Sequence, residues 1–171
     1  QGTNTPAKEA AVEQLTSSGI QVWAPAVDVT DETALGEVLS QRPESFPAIR
    51  GVIHAAGITG GLHLTDRLEP TVLAETLAPK VQGSWNLHQL SLAWELDFFV
   101  NFSSIASVWG SAYQAHYGAA NEFQNLLSQY RRSQGLPSLT INWSAIADVG
   151  MMTETEADNA KRLREIGLRF L

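Results

Sequence analysis

The chain has 171 residues, of which 44% are hydrophobic and 17% charged, with 11 basic against 18 acidic side chains and a net charge of −7. That is enough length for one domain with its own core, and no basic patch stands out to receive nucleic acid. There is no cysteine, which excludes disulfides, thiolate catalysis and cysteine-rich zinc sites; the four histidines, His54, His63, His88 and His116, show no helical zinc spacing, so no metal is expected. No apolar run approaches membrane-spanning length and no signal peptide is visible, so no membrane partner is expected and a cytoplasmic location is the default expectation.

Thr5-Pro6 has the form of an N-cap followed by the first helical position, opening a helix to about Ser18 with Gly19 as its C-terminal stop. The run "IQVWAPAVDV" is apolar and rich in β-branched residues, which predicts a buried strand. Thr30 is expected to cap the next helix, with Asp31 and Glu32 in its first turn and Ala34, Leu35, Val38 and Leu39 on one face; Pro43 and Pro47 end it. "IRGVIHAAG" predicts a second strand running into a glycine turn, and a long helix follows from about Glu69 to Leu92. "LDFFVNFSS" predicts a third strand, Tyr113 to Ser133 a second long helix, and "LTINWSAI" a fourth strand. On that second long helix Ala119, Phe123, Leu126, Leu127 and Tyr130 recur at helical spacing and are expected to form its core face. The tail from Thr153 to Arg164 is polar and helix-prone, acidic early and basic late.

Strands and helices alternate, and the strands are short and apolar on both faces. That pattern predicts an α/β fold, a Rossmann-like parallel sheet with helices on both faces. Ligands of such sheets sit beyond the carboxyl ends of the strands. The residues with chemical potential lie there: Asp28 after the first strand, His54 to Gly57 after the second, Ser103 and Ser104 after the third, and Trp143 to Ile146 after the fourth. Tyr117 and Asn121, four apart on a helix, share a face. Taken singly each has a plain structural reading. Lys80 in mid-helix would be solvated surface, Tyr117 packing, Ser104 a turn residue, and "HAAG" a tight turn of small residues.

Their joint spacing changes that reading. "VDVTD", "GVIHAAG", "LAPKVQGSWNLHQL", "DFFVNFSSIASVWGSAYQAHYGAANEF", "INW" and "GMM" resemble, in order and spacing, the ketoreductase domain of modular polyketide synthases, within the short-chain dehydrogenase/reductase superfamily. Ordinary short-chain reductases carry Tyr-x-x-x-Lys with an asparagine from the neighbouring helix. Here Asn121 holds the lysine's place and Lys80 comes from the neighbouring helix, the exchange found in polyketide ketoreductases.

The resemblance implies NADPH-dependent reduction of a β-ketoacyl thioester carried on an acyl carrier protein, with the rest of a megasynthase as partner. Tyr117 would be the general acid, with Lys80 lowering its pKa; Ser104 would hydrogen-bond the carbonyl oxygen, and Asn121 would hold the lysine or a relay water. For the cofactor it implies Asp28 and Val29 at the adenine, His54, Ala55, Ala56 and Gly57 in the turn that the dinucleotide approaches, Ser103, Tyr117 and Lys80 beside it, and Ser144, Ala145 and Ile146 at the nicotinamide. That last segment departs from the family's usual Gly-Pro-Trp. The stereochemical markers resemble the A type. Thr59-Gly60-Gly61 stands where the B type carries Leu-Asp-Asp, Trp109 lies eight residues before Tyr117, and Gln114 three before it. An ordinary buried aromatic is the alternative reading of Trp109, and His116 is expected to be structural.

No Gly-x-Gly-x-x-Gly phosphate loop occurs in these residues. The resemblance therefore implies one partial ketoreductase domain over 1–171, with residues 147–171 as a lid region. The family's first two strands would precede it, and the last helix and strand would follow. Two other readings stand beside it: a non-catalytic ketoreductase-like scaffold, and a different short-chain enzyme such as a sugar-nucleotide epimerase, against which the lack of Tyr-x-x-x-Lys speaks.

Overall fold

The computed structural model describes residues 5–144. Nine elements follow one another: α1 (Pro6–Ser17), α2 (Glu32–Ser40), β1 (Gly51–His54), a 3₁₀ turn (Thr65–Arg67), α3 (Pro70–Leu90), β2 (Phe98–Ser104), α4 (Ala106–Trp109), α5 (Ala115–Ser133) and β3 (Leu139–Trp143). The three strands form a parallel sheet in the order β1-β2-β3, with Val52 opposite Phe99, His54 opposite Asn101, and Ser103 opposite Asn142. Parallel neighbours require helical crossovers, and α3 and α5 supply them.

Alternate residues point to opposite faces of the sheet. Val52, His54, Phe99, Asn101 and Ser103 are buried and face the α3–α5 layer. The opposite face carries Ile53, Phe98 and Leu139, all exposed, so among the described residues the sheet is covered on one side. At the amino end of the strands Arg50 holds Asp97 through Nε and Nη2, at 3.1 and 2.6 Å, and the Asp97 amide donates to the Arg50 carbonyl at 2.7 Å. That clamp fixes the start of the β1–β2 register.

Two local expectations hold to within two residues. Thr5 caps α1 by accepting from the Lys8 amide, and Gly19 beyond its end takes φ +81°. The long helix expected from about Glu69 starts at Pro70, where the missing N–H costs nothing, and ends at Leu90, two residues short of the expected Leu92.

Three differ. "IQVWAPAVDV" is not a strand: no neighbouring strand lies beside it among the described residues, and a β-branched run is no strand without a ladder. The Val29 and Thr30 carbonyls instead accept from Asn86 Nδ2 of α3, both at 3.0 Å. The cap of α2 is Asp31, not Thr30. The Asp31 carboxylate accepts from the Ala34 amide at 2.9 Å, while the Thr30 amide and hydroxyl both donate to Asp28 Oδ1.

The third concerns α5. Its inward residues are His116, Ala120, Asn121, Gln124, Leu127, Ser128 and Arg131. Of the expected core face Leu127 alone is buried; Leu126 and Tyr130 are 53% and 47% exposed, Ala119 is exposed and Phe123 half-buried. The inward positions are polar because they have partners to bond. Ser128 Oγ accepts from Asn101 Nδ2 at 3.1 Å, the Thr140 hydroxyl donates to the Gln124 carbonyl at 3.0 Å, and Arg131 reaches His88 Nδ1 at 2.9 Å and Ser91 Oγ at 3.2 Å. The Arg131 guanidinium also lies 3.9 Å from the centre of the Phe99 ring, a cation–π contact.

Candidate active site

β1 ends at His54, opposite Asn101, while β2 runs on to Ser104. This step at the carboxyl ends of the strands is where the candidate residues gather. Lys80, in the turn of α3 after Pro79, points under it. Its side chain is 4% exposed, and Nζ donates to the Phe102 carbonyl at 2.8 Å, one residue beyond the last β1–β2 pair, and to Gln124 Oε1 at 3.3 Å. Burial lowers its pKa from 10.5 to about 8. The surface reading of Lys80 is therefore excluded. Gly57 makes room for it: a Cβ there would lie 2.8 Å from Lys80 Cε and 3.3 Å from Nζ.

His54 is buried, and its Nε2 lies 2.9 Å from the Pro79 carbonyl. Burial, then the charge of Lys80, push its pKa down to about 4 although the bond to Pro79 opposes them, so the ring is neutral near neutral pH. Its side chain is thus committed to α3, and a cofactor would meet it through backbone. Ser103 is likewise buried, with its hydroxyl donating to the Asn121 carbonyl at 3.0 Å.

Ser104, at the last position of β2, is half-buried. Its Oγ accepts from the Ala106 amide at 3.2 Å, which aims the oxygen at the start of α4 and leaves the hydroxyl hydrogen to donate elsewhere. Tyr117 stands in the first turn of α5, half-buried, and among the described residues its hydroxyl has no hydrogen-bond partner. Asn121, one turn later, is fully buried; its Nδ2 donates to the Tyr117 carbonyl at 2.7 Å and its Oδ1 has no partner among the described residues. Lys80 and Tyr117 thus belong to one α3–α5 layer, but the ammonium is held on Phe102 and Gln124 and not on the phenol. Gln124 lies seven residues along α5 from Tyr117, about 10 Å of helical rise, and Asn121 stands between them.

Gln124 escaped the sequence reading. A long amide three residues after Asn121 faces the same way on a helix, and that spacing was the available signal. The loops at the mouth are sharply turned: Gly60, Gly61 and Gly110 have positive φ, and so does Tyr113 at +64°. The Tyr113 carbonyl accepts from the His63 amide at 2.8 Å, tying the loop after β1 to the loop before α5. His116 is buried against Gly60 with its ring edge-on to His63. Trp109 is 68% exposed, so it is not a core aromatic. Gln114 Oε1 accepts from the Ser111 hydroxyl at 2.7 Å. Ser144 follows the end of β3; Ala145, Ile146 and the expected lid at 147–171 lie outside the described residues.

The family model described as the KR domain matches residues 1–148. The chain belongs to the KR-domain family. It is similar to a lovastatin diketide synthase of Aspergillus terreus, 39% identical over 99% of this chain and 7% of that protein, and to a reducing polyketide synthase of Hypomyces subiculosus, 35% identical over 98% and 7%. This KR domain therefore spans about 7% of the length of the curated relatives it matches. Among solved structures it is similar to A-type ketoreductases from a modular polyketide synthase, with a TM-score of 0.92 at 32% identity over 99% of this chain and 35% of that one. It is also similar to a ketoreductase from the first module of phoslactomycin biosynthesis in a Streptomyces species, with a TM-score of 0.88 at 34% identity over 100% and 38%. The likeness carries the Rossmann-like short-chain dehydrogenase/reductase fold, of which the parallel β1-β2-β3 sheet is the described part.

A nicotinamide dinucleotide fits the residues that this KR domain offers. Ala55 and Ala56 are exposed just past β1, a ledge of small side chains that leaves the backbone open to close approach. Thr30 occupies Asp28 Oδ1 with both amide and hydroxyl, which holds the carboxyl pKa below its ordinary 3.8. The exposed Oδ2 remains to accept from an exocyclic amine. Val29 is packed on Gly83, where a Cβ would come within 2.7 Å of its Cγ1, so α3 fixes the position of this segment.

Proposed function

We propose that this KR domain reduces the ketone of a β-ketoacyl thioester carried on an acyl carrier protein, within a megasynthase that makes a polyketide or related fatty acid. NADPH would supply the hydride, held by Asp28 and Val29 at its adenine end and by the Ala55–Gly57 turn along its length. The protein's part is to neutralise the alkoxide that forms on the carbonyl oxygen. Tyr117 donates its proton to that oxygen, and Ser104 donates a hydrogen bond to it. The buried ammonium of Lys80 places a positive charge in the same α3–α5 layer, where it supports the proton transfer from Tyr117, and Asn121 fixes the turn of α5 that carries Tyr117. Trp109, exposed at the mouth, directs the ketone so that an L-configured hydroxyl results, as in the A type.

What supports this reading is the pairing of two groups at one strand end: a Ser104 hydroxyl whose oxygen is already held by the Ala106 amide, and a Tyr117 phenol without an internal partner among the described residues. The test is consumption of NADPH by the full-length protein with a small bicyclic ketone such as a decalone. Tyr117→Phe is expected to lower turnover by about 10²–10⁴-fold with NADPH binding intact. Undiminished turnover would remove Tyr117 as the acid, and a full-length protein without ketone turnover would favour the scaffold reading.

A further inference from the structure

We propose that Gln124 is a positioning residue for the Lys80 ammonium: its amide oxygen holds the charge in the α3–α5 layer, in place and in its protonated form. The inference rests on the proposed reduction only for its effect on rate. Gln124 is fully buried on the inward face of α5, and its Oε1 is the one side-chain acceptor on Lys80 Nζ among the described residues, at 3.3 Å. The second acceptor, the Phe102 carbonyl at 2.8 Å, is backbone and survives any side-chain substitution.

The other half of the amide argues in the same direction. Gln124 Nε2 is buried without a hydrogen-bond partner among the described residues. A leucine would fill the same space with no unpaired donor, so the amide earns its position through its acceptor. The contact also cannot be exchanged for water, because both side chains are buried. Lysine is prone to losing its proton when buried, and burial already brings Lys80 to about 8. An acceptor facing the ammonium opposes that loss.

On the elements around Lys80 the titratable and charged groups are His54 at the end of β1, Glu75 and His88 on α3, and His116, Tyr117, Glu122, Tyr130, Arg131 and Arg132 on α5; Glu75, Tyr130 and Arg132 are exposed, and Glu122 accepts from Asn125. His54 bonds Pro79 and, with its pKa lowered to about 4, carries no charge near neutral pH. His116 is packed on Gly60 and His63. Arg131 lies two turns beyond Gln124, engaged by His88 and Ser91. No carboxylate on these elements faces the amine among the described residues, so the Gln124 dipole is its polar side-chain support.

The experiment compares wild type, Gln124→Leu and Gln124→Glu in the full-length protein. Trace acetylation with acetic anhydride across pH 6–11, read on the Lys80 peptide by mass spectrometry with the Lys8 peptide as internal reference, gives the titration of that one amine. Loss of a hydrogen bond to a charged group is expected to move the Lys80 curve down by about one pH unit in Gln124→Leu, and a carboxylate is expected to move it up in Gln124→Glu. The alkaline limb of ketone reduction moves in the same directions. Should Gln124→Leu fail to fold, the upward shift in Gln124→Glu carries the test. A Lys80 curve that stays put in every variant that folds overturns the proposal, whatever happens to the rate. A curve that moves while the rate profile does not leaves Gln124 as the support of Lys80 and breaks the link from Lys80 to Tyr117, which belongs to the proposed function.

Discussion

Replacing Lys80 with methionine separates what the ammonium does for the fold from what it does for the reaction. The fall of its pKa from 10.5 to about 8 means that burying the charge costs about 3 kcal/mol at neutral pH. Methionine removes that cost with a side chain of similar length. Against this, the Phe102 carbonyl and Gln124 Oε1 lose their donor, at about 1–3 kcal/mol each. The terms nearly cancel, so Lys80→Met is expected to unfold within about 2 kcal/mol of wild type at pH 7 while its turnover falls by about 100-fold or more. The pH dependence is the sharper signature. The unfolded lysine keeps its proton to about 10.5 and the folded one only to about 8, so between these values the unfolded state binds more protons and wild-type stability rises with pH. Below pH 8 the cost is present in full; above 10.5 it is gone. Relative to Lys80→Met, wild type should gain about 3 kcal/mol across that window. Urea unfolding of the full-length protein, followed by protease release of α3 and α5 peptides at pH 7 and pH 10.5, measures it. A stability difference that is flat across the window, or a Lys80→Met protein with full turnover, would refute the account of this lysine.

Ser104→Ala should lower kcat by about 10²–10³-fold, with NADPH binding unaltered, and cost the fold about 0.5–2 kcal/mol as the Ala106 amide loses its acceptor; turnover and unfolding measured on one preparation check both. Gly57→Ala sets a methyl 2.8 Å from Lys80 Cε, so the flexible end of the lysine gives way and the backbone does not. Turnover should fall on the order of 10²-fold with little change in unfolding, and the acetylation curve of Lys80 should move. Arg131→Met should do the reverse. It strips the donor from His88 Nδ1, Ser91 Oγ and the Pro137 carbonyl and removes the contact with Phe99, at a net cost of about 2 kcal/mol in unfolding with kcat unchanged.

What the sequence made legible was whatever local chemistry decides. Thr5-Pro6 caps and opens α1, and the apolar runs through Val52 and Phe99 become β1 and β2, each of which has the other as its neighbour. Lys80, Ser104, Tyr117 and Asn121 were singled out through their resemblance to the ketoreductase pattern; helical period alone placed only Tyr117 and Asn121 on a common face, and strand end placed Ser104. Outcomes set by partners were not. Residues 20–29 have strand composition, yet a strand is made by its neighbour, and Asn86 takes the carbonyls of Val29 and Thr30 instead. Thr30 and Asp31 are both good caps; the bonds from Thr30 to Asp28 settle which one serves. Ala119, Phe123, Leu126 and Tyr130 form a true apolar stripe, but hydrophobic period identifies a face and not its direction. Gly57 was legible as a small residue in a turn, while its use, space for the end of Lys80, depends on a helix 23 positions away.

The polar character of the α3–α5 seam follows from this division of labour. Toward the amino ends of the strands its groups close on one another: Arg131 on His88 and Ser91, Ser128 between Asn101 and Thr140. Toward the carboxyl ends, His116 Nε2, Asn121 Oδ1 and Gln124 Nε2 are buried without hydrogen-bond partners among the described residues, as are Asn101 Oδ1 in β2 and Trp143 Nε1 at the end of β3. Unpaired buried polar atoms cost stability, and native folds keep few of them. Here three fall within three turns of α5, on the stretch that carries Tyr117 and supports Lys80. An apolar seam would be more stable there, but it could neither hold an ammonium in place nor fix the turn that presents the phenol. On the proposed function, the bonded Arg131 cluster serves the fold and the α5 stretch around Asn121 and Gln124 serves the reaction, which is why Arg131→Met and Gly57→Ala are expected to act on opposite observables.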